Sequence, residues 1–352
     1  MLNKTIIIFN KLKVISWLIT IAFIDIVSYF PGFVETVYAQ NIYPVVAIVN
    51  RWFFHFFPFS AGDIIYIFGF TYLVSLVFYI FLDIKNMMLH LTKLSTYLLQ
   101  VVWVFYLSWG FNYFREPLAK QLKFSEEKYT ITQLQTITDK MIDKSNSLQR
   151  QLAQNDSLPV KIPYGIERII KKAEGGYVQI ESIINQKYNY PCEKTSLLSK
   201  PISYMGVSGY LNPFSGEAQI NNIYPKIFLP SIASHEIAHQ LGYAPENEAN
   251  FLGYLSASHN PDPYFQYSAY IDALYYCLIE IRKADNDLYQ TYIKKVNKGI
   301  LKNYSEAFQF SKEHQFPIDF SSTYDTYLKM NKQKSGIRSY NEMVRLLIAY
   351  ER

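Results

Sequence analysis

Cysteine is scarce in this chain, which contains only Cys192 and Cys277 among 352 residues. Two thiols are too few for a disulfide framework, and neither lies in a CxxC pattern of the kind that holds a metal. A bridge between the two is left open, because the geometry that a disulfide requires cannot be read from sequence. The composition therefore excludes a disulfide-rich scaffold.

A concentrated basic surface is also lacking. The net charge of +5 and the isoelectric point near 8.8 are modest, and the lysines are scattered rather than grouped in a stripe with aromatic residues. Because nucleic-acid binding proteins carry such a stripe, we predict no nucleic-acid partner. Internal repeats, low-complexity linkers and a long disordered tail are absent from the sequence as well.

Apolar residues are abundant and unevenly distributed. Half of the chain is hydrophobic and 17% is aromatic, and the excess lies in the first third. Three apolar runs, at about 14–30, 62–83 and 94–112, are each long enough to cross a hydrocarbon core of roughly 30 Å. We therefore predict a membrane domain over residues 1–115 with three transmembrane helices, and the lipid bilayer as a partner.

The distribution of lysine predicts how these helices are oriented. Residues 31–63 carry Arg51 as their only basic residue apart from histidine and are rich in aromatic side chains suited to a membrane interface. By the positive-inside rule, the N-terminus is cytoplasmic and residues 116–352 lie outside the cytoplasm. A cleavable signal ending near Ala39 would leave this location unchanged. The lysines that set the orientation precede the first run or lie between the second and third: Lys4, Lys11, Lys13, Lys85 and Lys93.

The segment His235-Glu236-Ile237-Ala238-His239 places two imidazoles four residues apart around a glutamate. Positions i and i+4 share one face of a helix, so both histidines can reach a single metal ion. Glu236 projects beside that face, where its carboxylate can take a proton from a metal-bound water. Pro230 suits a first turn and Gly242 a left-handed C-terminal cap. The pattern predicts a helix that carries two zinc ligands and a general base.

The third ligand is predicted to follow closely, since a catalytic zinc usually takes three protein ligands. Pro245 can begin a second helix, and Glu246 and Asn250 would share one face of it. We expect Glu246 to bind the metal while Asn250 forms a hydrogen bond to a histidine ligand. Glu248 is the alternative third ligand, although an acidic residue also favours a helix N-terminus without any metal.

Glu246, Ala249 and Asn250 resemble the Glu-x-x-Ala-Asp/Asn element that follows HExxH in gluzincin peptidases. In those families the glutamate is the third zinc ligand. Only six residues separate His239 from Glu246, fewer than is usual in gluzincins. The choice between Glu246 and Glu248 therefore remains open at this point.

A longer stretch is similar to a bacterial membrane family catalogued as domain of unknown function 3810. The similarity covers residues 204–255, extends to residues 109–113 and includes a C-terminal helix at Ser339-Tyr340. It implies three N-terminal spans joined to an HExxH domain. We therefore expect an integral protein of the bacterial cytoplasmic membrane. The lysine distribution places its zinc domain outside the cytoplasm, in the periplasm of a Gram-negative cell.

The rest of residues 116–352 is predicted to be mainly helical with a small β-sheet, as in zincins. Periodicity predicts a helix over 131–153 with Thr130 as its cap, and another over 164–186 that is weakened or broken at the Gly175-Gly176 pair. Further helices are expected at 264–283 and, with Ser339 as cap, at about 340–350.

One strand is predicted just before the zinc helix. Ala218, Gln219, Ile220 and Asn221 alternate small or apolar with polar residues, a pattern typical of a strand exposed on one face. In HExxH peptidases such a strand commonly lines the cleft, so the resemblance makes Glu217 to Asn222 a candidate edge strand that binds substrate backbone. An ordinary edge strand has the same pattern.

These observations favour a membrane-anchored zinc metallopeptidase that acts on a peptide or protein substrate. Zinc would lower the pKa of its water, and Glu236 would accept the proton before hydroxide attacks the peptide carbonyl. A tyrosine or His259 could stabilise the oxyanion, but the sequence assigns this role to no residue. A non-catalytic zinc protein that serves in membrane assembly or sensing is the alternative. A transporter is disfavoured, because three spans are few and their acidic residues have no basic partner at helical spacing.

Overall fold

The computed structural model describes residues 2–125, 127–315, 321–333 and 342–352. The chain is mainly helical with one small β-sheet, as predicted. The described N-terminal helices are α1 (Leu2–Ser28), α2 (Pro31–Phe33), α3 (Tyr43–His55), α4 (Ala61–Leu82), α5 (Met87–Ser108) and α6 (Leu118–Gln121), with a π-helical segment at Val34–Ile42. The later helices are α7 (Ile131–Ala153), α8 (Ile166–Ile184), α9 (Ser199–Tyr204), α10 (Leu229–Gln240), α11 (Glu246–His259), α12 (Pro263–Ala284), α13 (Asn286–Ile293), α14 (Lys298–Glu313), α15 (Ser321–Met330) and α16 (Met343–Tyr350).

Within the described chain, α4 is the helix that is long and apolar enough to cross a membrane by itself. A second candidate is a bent pair, residues 12–28 followed by residues 31–55, with an 88° angle between them. The finding is therefore one or two candidate spans rather than a clear three. The predicted third run corresponds to α5, whose sequence also contains histidine, lysine, threonine and glutamine, and these polar residues lower its mean hydropathy.

The N-terminal end of α4 is embedded in the β-sheet region. The backbone amides of Ala61 and Gly62 donate hydrogen bonds to the Glu217 carboxylate, which suits a helix N-terminus because its first amides lack intrahelical partners. Gly62 is required there, since a Cβ would lie 2.5 Å from Nε2 of Gln219. The Asp63 carboxylate accepts a hydrogen bond from the Leu197 amide. The candidate span α4 thus begins directly at the β-sheet region.

The sheet contains three strands, β1 (Glu193–Thr195), β2 (Gly209–Leu211) and β3 (Ala218–Ile220), in the order β1-β3-β2. β3 runs parallel to β1 and antiparallel to β2. The prediction of an edge strand at Glu217 to Asn222 is therefore wrong, because β3 is central, paired on both sides and fully buried. The alternation was misleading, since the Gln219 amide is buried and donates to Ser60 Oγ at 2.8 Å rather than facing water.

The structure confirms one predicted helix and corrects the prediction for another. α7 spans Ile131–Ala153, and Thr130 forms a capping box with Gln133, so that prediction is confirmed. α8 is continuous through Gly175-Gly176, so the predicted break is wrong. At Gly176 an added Cβ would lie 2.2 Å from the Ser256 carbonyl oxygen. This glycine allows α8 to pack closely on α11.

The helical core lies around α7, α8, α10, α11 and α12, which contact one another most extensively. α12 confirms the helix expected at 264–283. α16 covers Met343–Tyr350 of the predicted last helix, while Ser339 and Tyr340 lie outside the described residues. A second apolar cluster joins the N-terminal region to the chain just after α10: Val34, Tyr38, Tyr43, Ala47, Trp109, Phe111, Tyr113, Phe114 and Ala244.

Candidate metal centre

The helix α10 carries the two histidines one turn apart. Pro230 lies in its first turn, and Gly242 follows its end with φ +86°, as the sequence predicts. The side chains of Ala233 and Ile237 are fully buried and anchor one face in the core, which leaves His235 and His239 on another. The ring centroids of these histidines lie 4.6 Å apart.

Glu246, at the start of α11, completes the group. Its Oε2 atom lies 3.4 Å from His235 Nε2 and 3.7 Å from His239 Nε2. One ligand atom from each of the three residues lies within 4.8 Å of the others, so the group could hold a metal ion. Gly253 permits this proximity, since a Cβ there would lie 3.0 Å from the His235 backbone, and α11 therefore packs directly on α10.

Glu248, the alternative ligand, points elsewhere. Its Oε1 atom accepts a hydrogen bond of 2.8 Å from the Leu118 amide at the start of α6. Burial raises the pKa of Glu248 to about 7, although the Leu118 amide and the nearby Arg115 lower it. The structure thus brings Glu246, and not Glu248, to the two histidines.

The charge balance of the group favours a cation. Burial opposes the ionised form of Glu246, but contacts with His235 and His239 hold its pKa well below the usual range. Burial likewise opposes protonation of His235, yet Glu246 and Glu236 raise its pKa to about 9. A positive charge between these side chains is therefore stabilised, whether a proton or a metal ion carries it.

Glu236 lies beside the three-residue group rather than in it. The residue is only 4% exposed, and burial raises its pKa while both histidines lower it. Within the described part of the chain, its Oε2 atom is buried without a hydrogen-bond partner. A Cβ at Gly209 of β2 would lie 2.8 Å from Glu236 Oε1. Glycine at this edge-strand position leaves room for the carboxylate.

The hydrogen bond that orients a histidine ring differs from the predicted one. His239 Nδ1 donates to the Tyr243 carbonyl oxygen at 2.8 Å, which leaves Nε2 directed to the group. Asn250 forms no hydrogen bond to either histidine among the described contacts, and its buried amide nitrogen has no partner there. The proposed Asn250–histidine bond is therefore wrong. The Tyr243 carbonyl takes that position, and a backbone oxygen leaves no signal in the sequence.

A cleft of about 720 Å³ adjoins His235 and Glu236. Ser208, Asn250 and Asp272 supply polar lining near the histidine, and burial raises the pKa of Asp272 to about 6. Sequence reasoning missed Asp272, which lies in the aromatic-rich helix α12 outside any recognisable motif. The remaining wall is largely aromatic and comes mainly from α12, α13 and α14: Tyr224, Phe228, Tyr275, Tyr276, Tyr289, Tyr304 and Phe308.

The residues predicted to bind substrate lie away from this cleft. Glu217 is fully buried and forms an ion pair of 2.7 Å with Lys194, and Asn221 donates to Ser203 Oγ at 2.7 Å. The remaining residues of that segment, Ala218, Gln219 and Ile220, are enclosed in the central strand. β2 instead lies close to the Glu236 carboxylate at Gly209. The candidate oxyanion residue His259 instead contacts Leu255 in its own helix.

The two cysteines are free thiols. Cys192 and Cys277 are both buried, which answers the question that the sequence left open. Burial is the main factor that raises the pKa of each thiol to about 12. Neither thiol belongs to the group of His235, His239 and Glu246, whose candidate ligand atoms are imidazole nitrogens and a carboxylate oxygen.

Comparison with known proteins gives a family and no function. No curated protein and no solved structure matches the chain. One family model, described as a protein of unknown function (DUF3810), matches residues 38–348. That range includes the candidate metal ligands and nearly all the elements that position them. The chain therefore belongs to the DUF3810 family.

Proposed function

We propose that the protein is a membrane-anchored zinc-dependent metallopeptidase of the HExxH type. The observation that carries the proposal is the convergence of His235, His239 and Glu246, with the Glu236 carboxylate beside them at a cleft. Two imidazole nitrogens and one carboxylate oxygen are a donor set that suits a catalytic zinc. The buried Oε2 atom of Glu236, which has no hydrogen-bond partner among the described residues, also fits, because a purely structural metal requires no carboxylate beside it.

A bound zinc ion supplies a Lewis acid that polarises the peptide carbonyl and makes water acidic at neutral pH. Glu236 accepts the proton of the attacking water and delivers it to the leaving amine. The His239 ring is held in orientation by the Tyr243 carbonyl. β2 is an outer strand of the described sheet and approaches Glu236 at Gly209, so backbone groups of Gly209 to Leu211 would align an extended peptide there.

The membrane arrangement is part of the same proposal. α5 is as long as α4, at 22 residues, and the two pack against each other, so we assign α5 as a third span packed against the others. Residues 1–115 then form the membrane domain and residues 116–352 the peptidase domain. Lysine asymmetry supports an N-terminus in the cytoplasm and a cleft outside the bacterial cytoplasmic membrane.

Full-length protein purified in detergent allows a direct test. Glu236→Gln should retain zinc and lose peptide hydrolysis by about 10²- to 10⁴-fold, since a positioned general base contributes that much. His235→Ala and Glu246→Gln should lose zinc. Glu248→Gln is the matched control and should retain both zinc and turnover. Zinc is measured by elemental analysis and cleavage with a fluorogenic peptide library.

Two results would contradict the proposal. Undiminished turnover by Glu236→Gln would remove the mechanism. A zinc-loaded wild-type protein that cleaves no peptide in the library would instead support the non-catalytic role in assembly or sensing.

A further inference from the structure

The C-terminal end of α10 is held by side chains from the N-terminal region. The last carbonyls of a helix have no intrahelical donors and need partners from elsewhere. The His239 carbonyl accepts a hydrogen bond of 2.9 Å from Trp109 Nε1. The Gln240 carbonyl accepts bonds from the Tyr43 hydroxyl at 2.9 Å and from Arg51 Nη1 at 2.8 Å. Three side chains from before residue 116 thus fix the helix end that carries His239.

Arg115 holds the turn that follows. Its Nη1 atom donates to the Gly242 carbonyl at 3.0 Å, and its guanidinium lies 4.7 Å from the centre of the Tyr243 ring. Two hydrogen bonds of 2.9 Å to Glu35 fix the guanidinium in place, and both side chains are buried. Tyr243 is the residue whose carbonyl orients the His239 ring.

The contacts around Gly242 restrict the conformation of the turn. A Cβ at Gly242 would lie 2.8 Å from the Tyr43 ring, and the Trp109 and His239 rings meet edge to face at 5.9 Å. The turn, residues 241–245, connects α10 to α11 and therefore sets the angle between the two helices that supply the ligands. Of the residues that hold the helix end and the turn, Tyr43 and Arg51 precede the candidate span α4 in the sequence, and Trp109 and Arg115 follow it.

We infer that Trp109 and Arg115 are positioning residues of the metal centre. They fix α10 and the turn after it, so the N-terminal region contributes to metal affinity besides anchoring the chain. Groups that orient metal ligands from outside typically change affinity by 10- to 100-fold when they are lost. The inference rests on the proposed function, because it requires that the three-residue group hold zinc.

Tryptophan offers a matched pair of variants for the test. Trp109→Phe removes the donor to the His239 carbonyl and keeps an aromatic ring. Trp103→Phe is the control, because the Trp103 indole donates a single bond of 3.0 Å to Thr20 and lies in α5, away from α10. Zinc affinity of the full-length proteins is measured by competition with a chromogenic chelator, and the unfolding temperature of each is measured without metal.

We expect Trp109→Phe to weaken zinc binding by about tenfold or more, while Trp103→Phe binds as the wild type does. Equal affinities of the two variants, or a lower unfolding temperature of Trp109→Phe without a change in affinity, would overturn the inference. Should Trp109→Phe fail to fold, Tyr43→Phe removes one donor to the Gln240 carbonyl with less disturbance, and weaker zinc binding is again the expected result.

Arg115 is tested together with its partner. The Glu35→Met/Arg115→Met double variant removes both partners of the ion pair, so neither is left buried without the other, and the support of the turn is lost. It should also weaken zinc binding by about tenfold, and unchanged affinity would argue against Arg115 as a positioning residue. A wild-type protein that binds no zinc would instead refute the proposed function itself, so the two failures are distinguishable.

Discussion

The neighbouring glycines of α8 give a sharp prediction about the packing beneath the metal centre. At Gly176 an added Cβ would lie 2.2 Å from the Ser256 carbonyl oxygen and 2.7 Å from its carbon. These are backbone atoms of α11, so they cannot rotate away. At Gly175 the nearest atom is Asn260 Nδ2 at 3.6 Å, which is ordinary contact. The same substitution should therefore have opposite effects at adjacent positions.

The magnitudes follow from two competing effects. Alanine is favoured over glycine within a helix by about 1 kcal/mol, and Gly175→Ala should gain up to that amount. Gly176→Ala gains the same propensity, but overpacking typically costs about 1–3 kcal/mol, and contact with rigid backbone favours the upper end. We expect a net loss of about 1–2 kcal/mol for Gly176→Ala. For a domain of this size, that lowers the unfolding temperature by roughly 2–8 °C.

The assay is thermal unfolding of both variants in detergent, with a chelator present so that bound metal does not stabilise the folded state. Because α11 carries Glu246, Gly176→Ala should also weaken zinc binding when metal is restored. Equal changes in unfolding temperature for the two alanine variants would refute the close approach of α8 and α11.

Three further predictions concern buried polar groups. Burial, with two neighbouring carboxylates, raises the pKa of Glu193 well above its ordinary value of 4.5, so the stability it contributes is complete in acid and is lost as pH rises. Glu193→Gln should then flatten the decline in unfolding temperature as the pH rises above the ordinary pKa of a glutamate. Cys192 and Cys277 should resist alkylation in the folded protein and react once it is denatured, because a buried neutral thiol is a poor nucleophile; mass spectrometry reads this out. Lys194→Met leaves the Glu217 carboxylate without its buried ion-pair partner and should lower the free energy of unfolding by about 3–5 kcal/mol. Lys194→Met/Glu217→Gln should recover much of that loss in denaturant titrations. Full stability of the single variant would contradict the assigned pair.

Local signals made part of this structure predictable. Thr130 and Gln133 form a reciprocal cap, so the start of α7 is determined within four residues. Pro230 and Gly242 similarly bracket α10. The i, i+4 spacing of His235 and His239 then follows from helix geometry alone, which is why their convergence could be anticipated.

Features that depend on distant partners could not be predicted in this way. The alternation in residues 218–221 is the same for an edge strand and for a central strand whose glutamine is buried, and only pairing with β1 and β2 decides between them. Gly176 reads as a helix breaker until Ser256 is placed against it. The choice between Glu246 and Glu248 depends on Leu118, which is 130 residues away from Glu248 in sequence.

The role of Arg51 also depends on a distant partner and could not be predicted from the sequence. The aromatic residues around Arg51 suggested a membrane interface, and the exposed Trp52, Phe53 and Phe56 agree with that. The arginine itself is buried and donates to the Gln240 carbonyl. A single basic residue among aromatics is read differently once its acceptor, far along the chain, is known.

The start of α4 within the sheet region has a mechanical consequence. Glu217 accepts hydrogen bonds from the first amides of this helix, and Asp63 accepts one from the Leu197 amide, so these bonds would transmit a change in helix tilt to the sheet region. In a bilayer of different thickness, hydrophobic mismatch changes the tilt of a spanning helix. The height and angle of β2 relative to the membrane would then follow the thickness of the surrounding lipid.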